Sequence, residues 1–184
     1  MPRSPRKMLP LDGARLEELA LAYVARYATS RAKLEAYLRR KLRERGWEGP
    51  GEPPLEAISE RFCEAGYVDD AAFARARTGS LLRRGYGVRR VGQALAADGI
   101  DEELRDALRP GEAEQREAAL AFARRRGFGP FGAAPLDQAL RQKHLAAMMR
   151  AGHSFDLARA LVDAPDVISA ELWVEEALGG SGCD

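Results

Sequence analysis

The sequence predicts an all-α fold, organised as an elongated array of tandem three-helix repeats. Two observations support this prediction. Apolar residues recur at helical spacing along almost the whole chain of 184 residues, and no stretch has the alternation of a strand. Glycine accepts the positive φ required just past a helix end, and five helix-patterned stretches end in a glycine followed by a ring. The five pairs are Gly46-Trp47, Gly66-Tyr67, Gly85-Tyr86, Gly127-Phe128 and Gly152-His153.

The first repeat is predicted at residues 14–66, after a basic and flexible segment at 1–13. Ser30 is the expected N-cap of its second helix, because a serine oxygen accepts a hydrogen bond from the first turn. That helix ends at Gly46, and a loop rich in glycine and proline leads to the third helix. The apolar stripes expected to face the core are Leu16, Leu19, Ala20, Tyr23, Val24 and Tyr27, then Leu34, Tyr37, Leu38 and Leu42, then Leu55, Ile58 and Phe62.

Two further repeats are predicted at residues 67–110 and 111–164, followed by an acidic helix and tail at 165–184. Asp69 or Asp70 and then Asp101 are the expected caps of helices in the second repeat. The repeats overlay at their middle helices, where a small residue is followed by apolar residues four and eight positions later. The matched sets are Ser30, Leu34 and Leu38, then Gly87, Val91 and Leu95, then Ser154, Ala158 and Val162.

Composition excludes several classes of protein. No run approaches the roughly 18 apolar residues of a membrane span, so no membrane partner is expected. The two cysteines, Cys63 and Cys183, argue against a disulfide framework and indicate the reducing cytoplasm. His144 and His153 lack ligands at metal-binding spacing, and packing or surface roles are expected for both. We find no catalytic constellation, and we expect a protein that is not an enzyme and needs no metal or cofactor.

Charge is distributed unevenly along the chain. The first 100 residues hold 19 lysines and arginines against 13 carboxylates, whereas residues 101–184 hold 10 against 15. Basic residues near helix C-termini are favoured by the helix dipole, which accounts for one or two per helix. The first two repeats hold more than that, and we predict that they form a basic face that binds an acidic protein groove or phosphates. The predicted face comprises Arg31, Arg39, Arg40, Lys41, Arg43, Arg75, Arg77, Arg83, Arg84, Arg89 and Arg90.

Two segments resemble a known family. The sequences EAGYVDDAAFA at 64–74 and RRGYG at 83–87 are similar to signatures of the RecX family, regulators of the RecA recombinase. The resemblance extends over roughly residues 16–163 and is weaker in the third repeat. The resemblance implies tandem three-helix repeats, binding to the RecA filament and inhibition of recombinase activity, with effects on DNA repair and the SOS response. We expect a monomer that contacts single-stranded DNA weakly or only within the filament.

Two other functions remain open on the sequence. One is a DNA-binding regulator of the helix-turn-helix type, because a basic helix of a three-helix unit can enter a major groove. The absence of asparagine, which reads adenine edges, argues against sequence-specific readout. The other is a helical-repeat adaptor for a different protein.

Overall fold

The computed structural model describes residues 9–133 and 135–179. Within these residues the chain forms ten α-helices, one short 3-10 helix and no strand, which confirms the prediction of an all-α fold. The helices are α1 (Gly13–Val24), α2 (Arg31–Arg45), α3 (Leu55–Glu64), α4 (Asp70–Arg83), α5 (Val88–Ala97), α6 (Glu102–Ala107), α7 (Glu112–Arg126), α8 (Gln138–Arg150), α9 (Phe155–Val162) and α10 (Val167–Gly179).

The predicted helix ends are present. All five glycines that precede a ring adopt a positive φ, between 64° and 99°. Ser30, Asp101 and Ser154 cap α2, α6 and α9, each accepting a hydrogen bond from the backbone N–H three residues later. Asp69 caps α4 in the same way, with 2.8 Å between its Oδ1 and the nitrogen of Ala72. The local rules for helix ends therefore account for these five helix ends and four helix starts.

The chain divides into two compact units. The first comprises the chain up to Phe73 together with Asp98–Ile100, and the second comprises Ala74–Ala97 and the chain from Asp101 onward. The predicted division into three repeats is finer, and its boundaries stay a prediction. Cys183 and portions of the predicted segments 1–13 and 165–184 lie outside the described residues.

The core of the first unit lies between α1, α2 and α3. Leu16 and Ala20 from α1 meet Leu34 and Leu38 from α2, and all four are fully buried. Leu11 precedes these helices and exchanges backbone hydrogen bonds of 2.9 Å with Gly46 and Glu48. The predicted stripes of the first repeat therefore form its core, with one exception.

The exception is Tyr27, whose side chain the apolar stripe of α1 wrongly predicts to be buried. Tyr27 is 57% exposed. The helix ends at Val24, so the helical spacing no longer applies three residues later. The ring of Tyr27 instead lies 5.3 Å from the ring of Tyr23, and the ring of Tyr23 stacks on that of Tyr37 at 4.2 Å.

The second unit has its own core, formed mainly by α7, α8, α9 and α10. Its buried members include Phe122 from α7, Met148 from α8 and Leu161 from α9. Trp173 of α10 packs against this core, and the guanidinium of Arg116 lies 4.7 Å from its ring. The last helix is therefore an integral part of the second unit.

Candidate anion-binding cleft

A cleft of about 710 Å³ opens within the second unit and is lined by basic and aromatic side chains. The cations come from the turn after α4, from α5, from α7 and from α8. The lining contains no carboxylate. The cleft is lined by Arg84, Tyr86, Arg90, Phe122, Arg125, Arg126, Phe128, Lys143, Ala147, Arg150 and Ala151.

Glycine corners bring these elements together. The corner after α4 meets the corner after α8, where the Gly87 nitrogen donates to the carbonyl of Ala151 at 3.0 Å. A Cβ added to Gly87 would lie 2.3 Å from the carbonyl carbon of Gly152. A Cβ on Gly85 would lie 2.8 Å from the backbone nitrogen of Phe122 in α7. Only glycine permits these approaches, and they set the separation of the basic side chains on these elements.

His153 supports the same corner from inside. It is buried, and its Nε2 lies 3.0 Å from the carbonyl oxygen of Gly85. Because a carbonyl only accepts, Nε2 carries the proton in the neutral ring. Burial lowers the pKa of His153, and the hydrogen bond with Gly85 opposes that shift. His144 is also buried, and it stacks at 4.3 Å on the ring of Phe128. Of the packing or surface roles predicted for the two histidines, the structure shows packing for both.

Aromatic rings and a carbonyl position the cations of the cleft. The guanidinium carbons of Arg84 and Arg90 lie 5.4 and 5.6 Å from the centre of the Tyr86 ring. Arg125 lies 5.7 Å from the centre of the Phe122 ring and donates to the carbonyl oxygen of Arg84. These are cation–π distances, and neither the rings nor the carbonyl cancel the positive charge.

The six cations of the cleft differ from most other basic residues in the described ranges. None of the six lies within ion-pairing distance of a carboxylate among residues 9–133 and 135–179. By contrast, Arg116, Arg124 and Arg141 each form an ion pair with a carboxylate, although they belong to the same helices or neighbouring turns. The cleft therefore concentrates positive charge that no carboxylate compensates, and such charge attracts anions. The six are Arg84, Arg90, Arg125, Arg126, Lys143 and Arg150.

The sequence identified two of these six residues, Arg84 and Arg90. The other four lie in the half of the sequence with excess acidic charge. The run Arg124-Arg125-Arg126 before Gly127 was a signal that could have found two of them. In the sequence, this run cannot be distinguished from the basic residues that the dipole favours in the last turn of any helix.

The five predicted basic residues of the first unit lie on α2 and are largely ion-paired there. Arg31 and Arg39 both contact Glu35, at 3.3 and 2.7 Å. Burial opposes ionisation of Glu35, but hydrogen bonds from Ser59 and from these arginines more than offset it and lower the pKa. The remaining three are Arg40 and Lys41, which contact Glu44, and Arg43, which is exposed.

The remaining predicted residues of the second unit lie outside the cleft. Arg89 donates to the backbone carbonyl of Met149, and the side chain of Arg83 passes beside Gly79. Arg75 is exposed and Arg77 half-buried on α4. Whether all eleven predicted residues form one face stays a prediction.

The described residues also bear on metal sites and on membrane spans. No group of three potential metal ligands occurs among the residues that the structure describes. Among the same residues, none of the helices has the length and apolar character needed to cross a bilayer.

Comparison with known proteins identifies the family. Residues 69–108 match the family model described as "RecX, second three-helix domain". The chain is 31% identical over 171 residues to the regulatory protein RecX of Myxococcus xanthus, covering 88% of this chain and 90% of the relative. It is 41% identical over 106 residues to that of Thermus thermophilus, covering 58% of this chain and 70% of the relative.

The fold agrees with this similarity. The crystal structure of RecX from Lactobacillus salivarius superposes with a TM-score of 0.65 over 89% of this chain and 96% of that one, at 14% identity. That likeness establishes the common helical fold, and the sequence matches establish the relationship. The chain therefore belongs to the RecX family of regulatory proteins.

Proposed function

We propose that this protein binds the RecA filament on single-stranded DNA and inhibits ATP hydrolysis and strand exchange by the recombinase. Through that inhibition it modulates DNA repair and the SOS response, and it acts as a monomer. Membership of a family of regulatory proteins supports the regulatory part of this proposal. The observation that carries the DNA contact is the cleft of six cations without a carboxylate partner.

The charge of the cleft suits the phosphate backbone of DNA. A cation in an ion pair must give up its carboxylate before it binds a phosphate, whereas the cleft cations have none to give up. Five of the six are arginines, whose planar fork pairs with phosphate oxygens through two hydrogen bonds. Six like charges around one concave surface also raise the local potential and attract a polyanion from solution.

The aromatic residues of the cleft support binding to single-stranded DNA of any sequence. Tyr86 and Phe128 are half-buried, so part of each ring is accessible. Ring faces accept any base, and backbone contacts carry no sequence information. In this proposal the α2 cations and the other predicted basic residues add weaker contacts to the filament.

The proposal is tested by RecA ATP hydrolysis on single-stranded DNA, with this protein added below and up to the recombinase concentration. We expect inhibition at a substoichiometric ratio, because one filament-bound molecule affects several protomers. The variant Arg90→Gln with Lys143→Gln should require at least about tenfold more protein, assuming about 1 kcal/mol for each lost contact. The matched control, Arg26→Gln with Arg159→Gln, removes the same charge from exposed positions outside the cleft.

Each outcome bears on a separate part of the proposal. Wild-type protein that leaves hydrolysis unchanged at equimolar concentration contradicts the proposed function. If the cleft variant and the control inhibit hydrolysis equally, the proposed function stands, but the cleft does not contribute to it. Tight, sequence-dependent binding to duplex DNA without RecA would instead favour a helix-turn-helix regulator.

A further inference from the structure

A second pocket in the second unit has a different chemistry. It lies between α5 and α6, has a volume of about 280 Å³, and half of its ten lining residues are aliphatic or proline. An apolar cavity of about 150 Å³ is enough to hold a benzene ring, so this pocket is large enough for one apolar side chain. Its apolar walls are formed by Val88, Val91, Leu95, Leu108 and Pro110.

The edge of this pocket is positively charged. Arg89, Arg105 and Arg109 line it, against the single carboxylate of Asp106, and one terminal nitrogen of Arg89 also donates to the carbonyl oxygen of Met149. None of the three arginines forms an ion pair with a carboxylate in the described part of the chain. Arg105 donates through Nε to the carbonyl oxygen of Asp101 at 3.3 Å, which leaves the terminal nitrogens of that guanidinium without a carboxylate. The pocket thus combines an apolar interior with a net positive edge.

We propose that this pocket binds a protein segment in which one apolar side chain is flanked by carboxylates. The apolar side chain fills the pocket and the flanking carboxylates pair with the three arginines. This inference rests on the proposed function, and it assigns the segment to the recombinase. It gives the second unit two separate contacts, the basic cleft for DNA and the α5–α6 pocket for protein.

The lining of the pocket favours protein over nucleic acid as its occupant. Single-stranded nucleic acid is held by aromatic rings on which bases stack, and no aromatic residue lines this pocket. A phosphate has no apolar part that would fill an aliphatic interior. An apolar residue next to glutamate or aspartate satisfies both the interior and the edge, as anchor residues of protein interfaces do.

Gly92 provides a direct test, because it lines the pocket from the middle of α5. A Cβ added at Gly92 meets no atom within 4 Å. The substitution Gly92→Leu therefore occupies the pocket without a clash at its Cβ, and it replaces a glycine that disfavours the helix. The matched control is Gln93→Leu, which adds the same side chain at the exposed neighbouring position outside the pocket.

The measurement is equilibrium binding of each full-length variant to RecA filaments on single-stranded DNA, and separately to the same DNA without RecA. Gly92→Leu should bind filaments at least tenfold more weakly than Gln93→Leu, while both bind naked DNA like the wild type. Melting temperatures at or above that of the wild type establish that the variant is folded. Arg109→Glu should weaken filament binding in the same way, whereas Arg26→Glu, which changes an exposed arginine outside the pocket, should not.

The possible failures can be distinguished. Equal filament binding by Gly92→Leu and Gln93→Leu overturns the pocket inference and leaves the proposed function intact. If Gly92→Leu loses as much affinity for naked DNA as for filaments, the inference is also overturned, because the pocket would then bind DNA and not protein. If the wild-type protein does not bind filaments, the proposed function fails and the inference fails with it.

Discussion

At the scale of single residues, the cleft depends on how its cations are held. A guanidinium over a ring at an exposed site gains about 0.5–1 kcal/mol, and an exposed ion pair gains about 0–1 kcal/mol. Tyr86 therefore fixes Arg84 and Arg90 about as firmly as carboxylates would, but it leaves both charges available. Arg141 shows the alternative, because Asp163 binds it through two hydrogen bonds and compensates its charge.

The buried His153 makes the stability of the protein depend on pH. Burial lowers its pKa below the ordinary 6.5, so the unfolded chain binds a proton at a higher pH than the folded chain. The stabilisation due to neutral His153 is complete above pH 6.5 and is lost as pH falls through the lowered folded value. We expect the free energy of unfolding to decrease from pH 7.5 to pH 5.5, as measured by urea denaturation at each pH.

The variant His153→Gln separates this effect from others in the same range. A glutamine amide can still donate to the carbonyl of Gly85 but does not titrate, so the loss of stability between pH 7.5 and 5.5 should be smaller. His144 also has a pKa lowered by burial, so part of the pH dependence should remain. Identical pH dependence in the variant and the wild type would exclude a contribution from His153.

At the scale of elements, the corners illustrate what the sequence could and could not predict. Glycine before a ring predicted helix ends, and the positive φ at all five glycines follows from local backbone chemistry. The repeat pattern predicted Gly87 only as a small residue at the start of a middle helix, equivalent to Ser30 and Ser154. Its contact with the corner at Gly152 joins segments 65 residues apart. A local pattern contains no information about such a partner, so the cleft itself was not predictable.

Gly87 should therefore be intolerant of even one methyl group. Its φ is not in the left-handed region, so the effect of Gly87→Ala is steric and not due to backbone strain. With the carbonyl carbon of Gly152 and the backbone nitrogen of His153 both 2.3 Å from the added Cβ, we expect destabilisation of roughly 1–3 kcal/mol, typical of overpacking. Urea denaturation measures it directly.

The control for this substitution is Gly13→Ala at the start of α1, where an added Cβ has no neighbour within 4 Å. Alanine there should be neutral or slightly stabilising. If Gly87→Ala were equally neutral, the two corners would not be in close contact, and contact between them would not assemble the cleft.

At the scale of the whole molecule, net charge is a poor guide to where the free charge lies. Residues 101–184 hold 15 carboxylates and 10 basic residues, yet this half supplies four of the six cleft cations. Several of its carboxylates are engaged in ion pairs, including Glu112, Glu171 and Asp163. The basic first half has the opposite arrangement on α2, where Glu35 and Glu44 each form ion pairs with two cations. Pairing depends on side-chain geometry, which composition does not contain.

This difference in pairing should appear in the salt dependence of binding to single-stranded DNA. Each cation that neutralises a phosphate contributes about 0.7 to the slope of log affinity against log salt. Replacing Arg90 and Lys143 in the cleft with glutamine should therefore reduce the magnitude of the slope by about 1.4. Replacing Arg39 and Lys41 on α2 removes the same charge, but these residues are paired with Glu35 and Glu44 and should change the slope less. Titrations between 50 and 200 mM salt compare the two double variants, and a larger change on α2 would assign the main DNA contact to the first unit instead of the cleft.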